Sequence, residues 1–470
     1  MSLPPSRQRG QLRDNSGRYL TCSSGIDLGT SGLKLAAVRE DGTVAAQAEA
    51  AYGVDRPAPG FAEIDPAAWV AALESALDRL GSHNWNAVGL DGQMHGLVLV
   101  DADGEAVRPA VLWPDRRADL QRWRELPADM RQRLANPLTP GMAGPILGWL
   151  QEHEPDRVDM AHAALQPKDY LRARLGGGLV AERSDASATL LWDVPADRWA
   201  SDVVDALGLP ARLLPQVVSS SHVVGTARLP GDPVLVAGAG DTPAALLGSG
   251  GLATGQVQVN LGSGAQILMG VDAPRPSPDP VTHLYADAGG AWYGMVALQN
   301  GGLALDRARQ WLGFSWDELF AAAASNGSEG VTVLPFLSGE RGAVAGPDAR
   351  GAWLGLSDTT TREDLARAAV EGMVFAAAEG VRVLAGSVRQ VRMTGGGARN
   401  PLVPQLLADA LQARVDVVPE RSASALGAAM LAASGVGVEL PPPADPPVVH
   451  EPGAPPPAFD LWRERLHRSS

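Results

Sequence analysis

With 470 residues the chain exceeds one ordinary hydrophobic core and implies two or three large domains. Its net charge of −14, offset by no basic run, argues against nucleic acid as a partner and leaves small metabolites. A single cysteine, Cys22, rules out an intrachain disulfide framework and any cysteine-based zinc site, so nothing points to an oxidising compartment and a cytoplasmic location is expected.

In chain order, residues 1–21 read as a polar, mobile extension without the apolar segment of a signal peptide, and no later stretch is apolar for long enough to cross a membrane. A period-2 segment through Ser24 and Ile26 enters the turn of GIDLGTSGLK and continues as LKLAAV, the turn EDG and VAAQAEAAY, which predicts a three-stranded meander. In DPAAWVAALESALDRLG a helix is expected, with Asp65 as cap, Pro66 at the first position, an apolar stripe of Trp69, Val70, Leu73, Leu77 and Leu80, and Gly81 as stop. Alternating strands and helices lead to DPVLVAGAGDTPAALLGSG, an apolar strand, a glycine turn and a helix starting near Asp241. The opening then repeats: VQVNLGSGAQILMGV at 257–271 has the strand, glycine turn and strand of SGIDLGTSGLKLAAV, and AWYGMVAL supplies a third strand. This internal duplication predicts two α/β domains, 22–247 and 248–437, separated by a cleft. Residues 438–470 form a tail too proline-rich for regular structure, apart from a short amphipathic helix in FDLWRERLHR.

Taken alone, GIDLGTSG is either a plain hairpin turn or a cradle for phosphate. A second copy across a cleft favours the cradle. Glycines in these turns free the backbone N–H groups to face an anion, and Thr30 and Ser31 add hydroxyls. Asp27 would meet phosphate through hydrated magnesium, since two anions repel. A Walker loop is excluded, because the lysines Lys34 and Lys168 follow Leu33 and Pro167. A dinucleotide fingerprint in GAGDTP fails at Pro243, and Gln258 stands where an acid would hold ribose. In MTGGGARNPLVPQLLADAL a strand ends at Met393 and a helix begins near Pro401, with Asn400 as a cap; the same turn gives bare backbone on which adenosine can lie. Taken alone, Asp241 reads first as the cap of its helix, and His95 and Met94 read first as core residues.

The stretches GIDLGTSGLK, GLDGQMHG, LWPDRR, PKDYLR, SDASATLLWDV, AGAGDTPAALLG, FLSGER, EGMVFAAAEG, TGGGARN and SALGAAMLA follow the order and spacing of the FGGY carbohydrate kinases. GAWLGLSDTTTREDLARAAVE resembles that family's C-terminal signature, and the resemblance spans residues 22 to about 434. Within the family, Gln-Met-His-Gly at 93–96 and Pro-Lys-Asp-Tyr at 167–170 are most similar to xylulokinases.

The resemblance implies a two-domain actin-like (ribonuclease H-like) ATPase fold with its active site in the interdomain cleft. It implies transfer of the γ-phosphoryl of MgATP to the terminal hydroxyl of a pentulose, D-xylulose giving D-xylulose 5-phosphate. By carry-over, Asp241 is the general base, Met94 and His95 contact the sugar, and Trp113, Asp115 and Thr242 belong to the same site. Asp27 serves the metal; Gly29, Thr30, Ser31, Gly262 and Ser263 hold phosphates; Asn300, Gly301, Gly302, Gly396, Gly397 and Asn400 line the nucleotide pocket. A neutral His95 is expected to donate to one sugar hydroxyl and accept from another, and the helix start to keep Asp241 ionised. A homodimer is expected from the resemblance alone. Departures from the family are Pro114 between Trp113 and Asp115, Thr242 in place of Asn, Gly342 and Ala343 in place of Thr-Pro, and Ile146 in place of Lys. They keep another ketose, a polyol or a sugar acid open as acceptor. A nucleotide- and sugar-binding sensor without transferase activity is the reading from a different class, against which the intact Asp27, Asp241 and glycine turns stand.

Overall fold

The structure is a computed structural model describing residues 22–81, 85–325, 327–418, 422–442 and 445–469, so the expected N-terminal extension lies outside the described residues. The first sheet begins with β1 (Cys22–Leu28), β2 (Gly32–Arg39) and β3 (Val44–Ala51), an antiparallel meander as the alternation predicted. Strands β4 (Trp85–Gly92), β5 (Val223–Thr226) and β6 (Val234–Val236) extend it in the order β5-β6-β4-β1-β2-β3, with β1, β4 and β6 parallel. Ala239–Gly240 adds a short seventh strand beside the end of β4.

The second sheet repeats this plan. Its strands are β7 (Val257–Leu261), β8 (Ala265–Val271), β9 (His283–Ala286), β10 (Trp292–Leu298), β11 (Gln390–Thr394), β12 (Arg414–Val417) and β13 (Val448–His450), in the order β9-β10-β8-β7-β11-β12-β13. As in the first sheet, an antiparallel meander is followed by two parallel strands and an antiparallel edge.

Helices cover the sheets on both faces, which is why β1 is buried along nearly its whole length rather than on alternate residues. On one side lies α1 (Ala67–Leu80), burying Trp69, Leu73 and Ala76. Each large side chain so buried is worth roughly 1.5–3 kcal/mol. Helix α1 starts one residue later than the sequence implied, yet Asp65 still caps it by accepting the Ala67 N–H at 2.9 Å, and Gly81 stops it at φ 79°.

The other side is sealed by α4 (Ala423–Gly435), which the sequence had assigned to the second half of the chain. Its small residues let backbones touch. A Cβ at Gly25 would lie 1.7 Å from the Ala425 carbonyl oxygen, and one at Gly89 would lie 2.1 Å from that of Ala428. Against α2 (Asp241–Gly248), a Cβ at Gly427 would lie 1.9 Å from the Ala244 oxygen. One helix thus fastens β1, β4 and the head of α2 together beneath the cleft. A further helix, α3 (Leu402–Leu411), flanks the second sheet.

The tail departs from expectation. Val448–His450 is a regular strand on β12, because a three-residue edge strand needs only one partner and its prolines fall outside it. The terminal helix α5 (Pro457–Ser469) docks through buried Phe459, Trp462 and Leu466, with the Trp462 indole donating to the Val333 carbonyl at 2.8 Å. Ile146, another departure, is fully buried. Among the described residues no helix is long and apolar enough to cross a membrane.

Candidate active site

The turn between β1 and β2 is closed by the Gly29 N–H on the Gly32 carbonyl at 3.0 Å, which leaves Thr30 and Ser31 at its open tip. Two side chains brace it from below: Gln93 donates to the Gly29 carbonyl at 3.1 Å, and the Tyr52 hydroxyl contacts the Gly29 and Gly32 carbonyls. The Trp113 indole donates to Thr30 Oγ1 at 2.9 Å. With that oxygen already accepting, the Thr30 O–H is free to donate to a phosphate.

Asp27, at the end of β1, is paired in register with Asp91 of the parallel strand β4. Asp91 is fully buried, and neither of its oxygens meets an N–H or O–H donor. Burial first, then the charges of Asp27 and Asp241, push its carboxyl well above the usual range. Burial also raises Asp27. Asp91 stood in the quoted GLDGQMHG without being singled out, because an acid on an apolar strand reads as a strand end until its neighbours are known.

Asp241 opens α2, and the cap position belongs to Gly240. Instead of capping the helix, Asp241 Oδ1 accepts the N–H of Thr242 at 2.6 Å, and the Thr242 hydroxyl lies 3.3 Å away. Thr242 Oγ1 in turn accepts from Gln266 of β8 at 3.3 Å. Its buried hydroxyl therefore orients the acid and ties it to the second sheet, where the sequence had placed a sugar contact. The helix end does not dominate the acid's titration as expected: burial, then Asp27, pushes Asp241 up to about 6. Above that pH it is a carboxylate able to take a proton.

The turn carrying Asp241 rests on a buried ion cluster. Gly240 donates its N–H to Ser184 Oγ at 3.0 Å, and Glu182 accepts from the Ser184 N–H at 2.7 Å and from its hydroxyl at 2.6 Å. Lys168 lies 2.7 Å from Asp169 and 3.0 Å from Asp185, all fully buried. Removing any one charge would leave its partner stranded in low dielectric. Met94 packs against Gly240, where a Cβ would come within 2.9 Å of its sulfur, so it sets the same turn.

His95 holds φ at 75°, and its Nδ1 donates to the Ala188 carbonyl at 2.9 Å. Burial, opposed by that hydrogen bond and reinforced by the charge of Arg341, lowers it to about 4, so the ring is neutral. Only Nε2 remains, as an acceptor, in place of the donor-and-acceptor role expected. Asp115 also departs from expectation. Its carboxylate is buried, accepting the Ala62 N–H at 2.7 Å and paired with Arg117 at 2.7 Å, and Arg117 lies over the Phe61 ring at 3.7 Å. No oxygen is left for a sugar. From the second half come His283 and Tyr285, hydrogen-bonded at 2.7 Å, with Tyr285 at 5.9 Å from the His95 ring. The strand His283–Ala286 carried no motif, so its approach to His95 was hidden in the sequence.

The second glycine turn leaves Gly262 and Ser263 exposed, with nothing within 4 Å of a Cβ at Gly262. Asn300, Gly301 and Gly302 support this turn. The Gly301 N–H donates to the Ser263 carbonyl at 3.1 Å, the Gly302 N–H donates to Gly262 at 2.9 Å, and the Asn300 amide donates to the Gly339 carbonyl at 2.7 Å. Beyond β11, Gly396 faces open space, whereas Gly397 is packed on Leu261, 2.7 Å from a would-be Cβ. Asn400 Oδ1 accepts the Leu402 N–H at 3.1 Å as a helix cap, leaving its NH2 group.

Two glycine turns, a carboxylate pushed up by burial and a neutral histidine suit transfer of a phosphate group to a hydroxyl. Among the described residues no three metal-ligating side chains form a metal-binding group. A magnesium ion would then be shared with water and phosphate oxygens, which fits a single carboxylate such as Asp27.

Residues 22–248 match the N-terminal domain of the FGGY family of carbohydrate kinases, and residues 260–436 match its C-terminal domain. The chain is 34% identical over 431 residues to the xylulose kinase of Escherichia coli, covering 87% of this chain and 89% of the relative. A solved "xyloylose kinase" from Brucella ovis superposes with a TM-score of 0.87 at 30% identity, covering 95% of this chain and 98% of that one. A gluconate kinase from Lactobacillus acidophilus has the same fold, with a TM-score of 0.86 at 22% identity over 96% of this chain and 97% of that one.

Proposed function

Because the chain belongs to the FGGY family of carbohydrate kinases, phosphotransferases with an alcohol group as acceptor, we propose that it phosphorylates the terminal hydroxyl of a pentulose, D-xylulose, at the expense of ATP. The observation that carries this is Asp241: a carboxylate pushed up to about 6, following Gly240, against which Met94 packs, and within the field of Asp27. In this reading Asp241 takes the proton from the sugar hydroxyl as the new O–P bond forms. Its Oδ1 is held by the Thr242 N–H, so the other oxygen is presented to the sugar. The His95 Nε2 accepts from a second hydroxyl and fixes the acceptor's orientation. Thr30, Ser31 and Ser263 hold the phosphates, and Gly396 and the Asn400 NH2 group receive the adenosine. When bound, magnesium held through Asp27 would neutralise charge on the phosphates.

Thr242 and Asp115 make internal bonds, so the acceptor is read by fewer polar groups than the family resemblance implies. This favours one competing reading, a different ketose, polyol or sugar acid as acceptor. A coupled ADP-release assay over pentuloses, hexuloses, polyols and aldonates separates them. D-Xylulose should give the highest kcat/KM; an advantage of about tenfold for ribulose, glycerol or gluconate, equal to about 1.4 kcal/mol in transition-state binding, would replace the proposed sugar.

A further inference from the structure

The second half of the chain brings an arginine to the cleft. Glu340 is buried, and its carboxylate accepts the N–H groups of Gln299 at 2.7 Å and Arg341 at 3.0 Å, which pins the segment. The Arg341 side chain is exposed and lies over the Trp113 ring, 5.6 Å from its centroid, and no ion pair to its guanidinium is found among the described residues. That same Trp113 donates to Thr30 at the tip of the first glycine turn. On its other side the guanidinium is close enough for its charge to act on His95 and His283, both of which are neutral. Arg341 thus stands by both the phosphate turn and the acceptor histidine, where desolvation pushes its guanidinium down and the charge of the neighbouring Glu340 favours its charged form.

We propose that Arg341 is a catalytic residue that grips the phosphoryl group in transit between ATP and the sugar. The inference rests on the kinase reading above. In the step concerned, the sugar hydroxyl gives its proton to Asp241 while its oxygen bonds to the γ-phosphorus. The bond from that phosphorus to the β,γ-bridging oxygen breaks, releasing ADP and leaving a sugar phosphate. Negative charge spread over the three equatorial oxygens in this passage suits the planar, two-pronged guanidinium. An acidic acceptor would also suit it. The phosphoryl group is favoured because the ring beneath Arg341 is tied to Thr30, on the phosphate side.

The test compares the parent with Arg341→Ala and Arg341→Lys, both expected to melt like the parent because the side chain is exposed. With D-xylulose, kcat of Arg341→Ala should fall by about 10³-fold or more, the range of a guanidinium supplied to phosphoryl transfer, while KM for sugar and for MgATP moves less than about threefold. Lysine should restore only part of the rate, since it offers a point charge in place of the fork. As a measurement independent of turnover, MgADP with aluminium fluoride and D-xylulose should form a tight complex with the parent but not with Arg341→Ala, which should still bind MgADP alone. A kcat within about threefold of the parent, or an undiminished fluoroaluminate complex, overturns the proposal. So does a loss confined to KM for sugar, which makes Arg341 an acceptor anchor, or to KM for MgATP, which makes it a nucleotide anchor. A parent inactive on every sugar of the panel overturns the kinase reading, and this role with it.

Discussion

Asp27 and Asp91 face each other in register across the parallel strands β1 and β4, and the fully buried Asp91 carboxyl has no N–H or O–H donor to balance a charge. Burial, then the charges of Asp27 and Asp241, disfavours its charged form and holds the carboxyl well above the usual range. A carboxyl raised in the folded state contributes stability at low pH and loses it as pH rises through the folded value. Asp91→Asn should therefore gain in melting temperature relative to the parent as pH rises above the ordinary carboxylate range, at up to about 1.4 kcal/mol per pH unit. Thermal melting of both at rising pH checks it; a margin that shrinks with pH would mean that Asp91 is ionised and paired.

Asp241→Asn retains an oxygen to accept the Thr242 N–H but cannot take a proton. Its melting temperature should match the parent's, while kcat at saturating sugar and MgATP falls by roughly 10²- to 10⁴-fold. Activity within a few-fold of the parent in a folded variant would remove the base from the mechanism.

The acid must be ionised to act as base, and burial with Asp27 raises it to about 6. In the free enzyme, kcat/KM should rise with pH up to about 6 and level off above it. A profile already flat from pH 5 would contradict this.

Two glycine substitutions separate architecture from ligand binding. Gly25→Ala drives a Cβ to 1.7 Å from the Ala425 carbonyl oxygen, lifting α4 off β1, and should cost at least roughly 1–3 kcal/mol in denaturant titration. Gly262→Ala meets nothing within 4 Å and should unfold like the parent. If the turn holds phosphate, that variant should nevertheless bind ATP more weakly by calorimetry, because the added methyl occupies the space the anion needs.

The sequence by itself determined the repeating plan, because the period-2 meander and its glycine turn are local patterns written twice, and both form as β1-β2-β3 and β7-β8-β10. It also pointed to Asp27, Thr30 and Asp241, since residues beside glycine turns announce themselves by their neighbours in the chain. Only the tertiary structure decided which polar groups are free. Asp115 and Arg117 lie two positions apart in a motif, yet the Ala62 N–H that completes the engagement of Asp115 comes from a distant strand end. Nor could Asp91 be distinguished from any acid ending an apolar strand until Asp27 and Asp241 stood beside it. Arg341 and His283 reach His95 from sequence positions about two hundred or more residues away, and such proximity leaves no periodicity to read. Strand and turn formation depends on neighbours along the chain, whereas a side chain's charge and availability depend on whatever the fold packs against it.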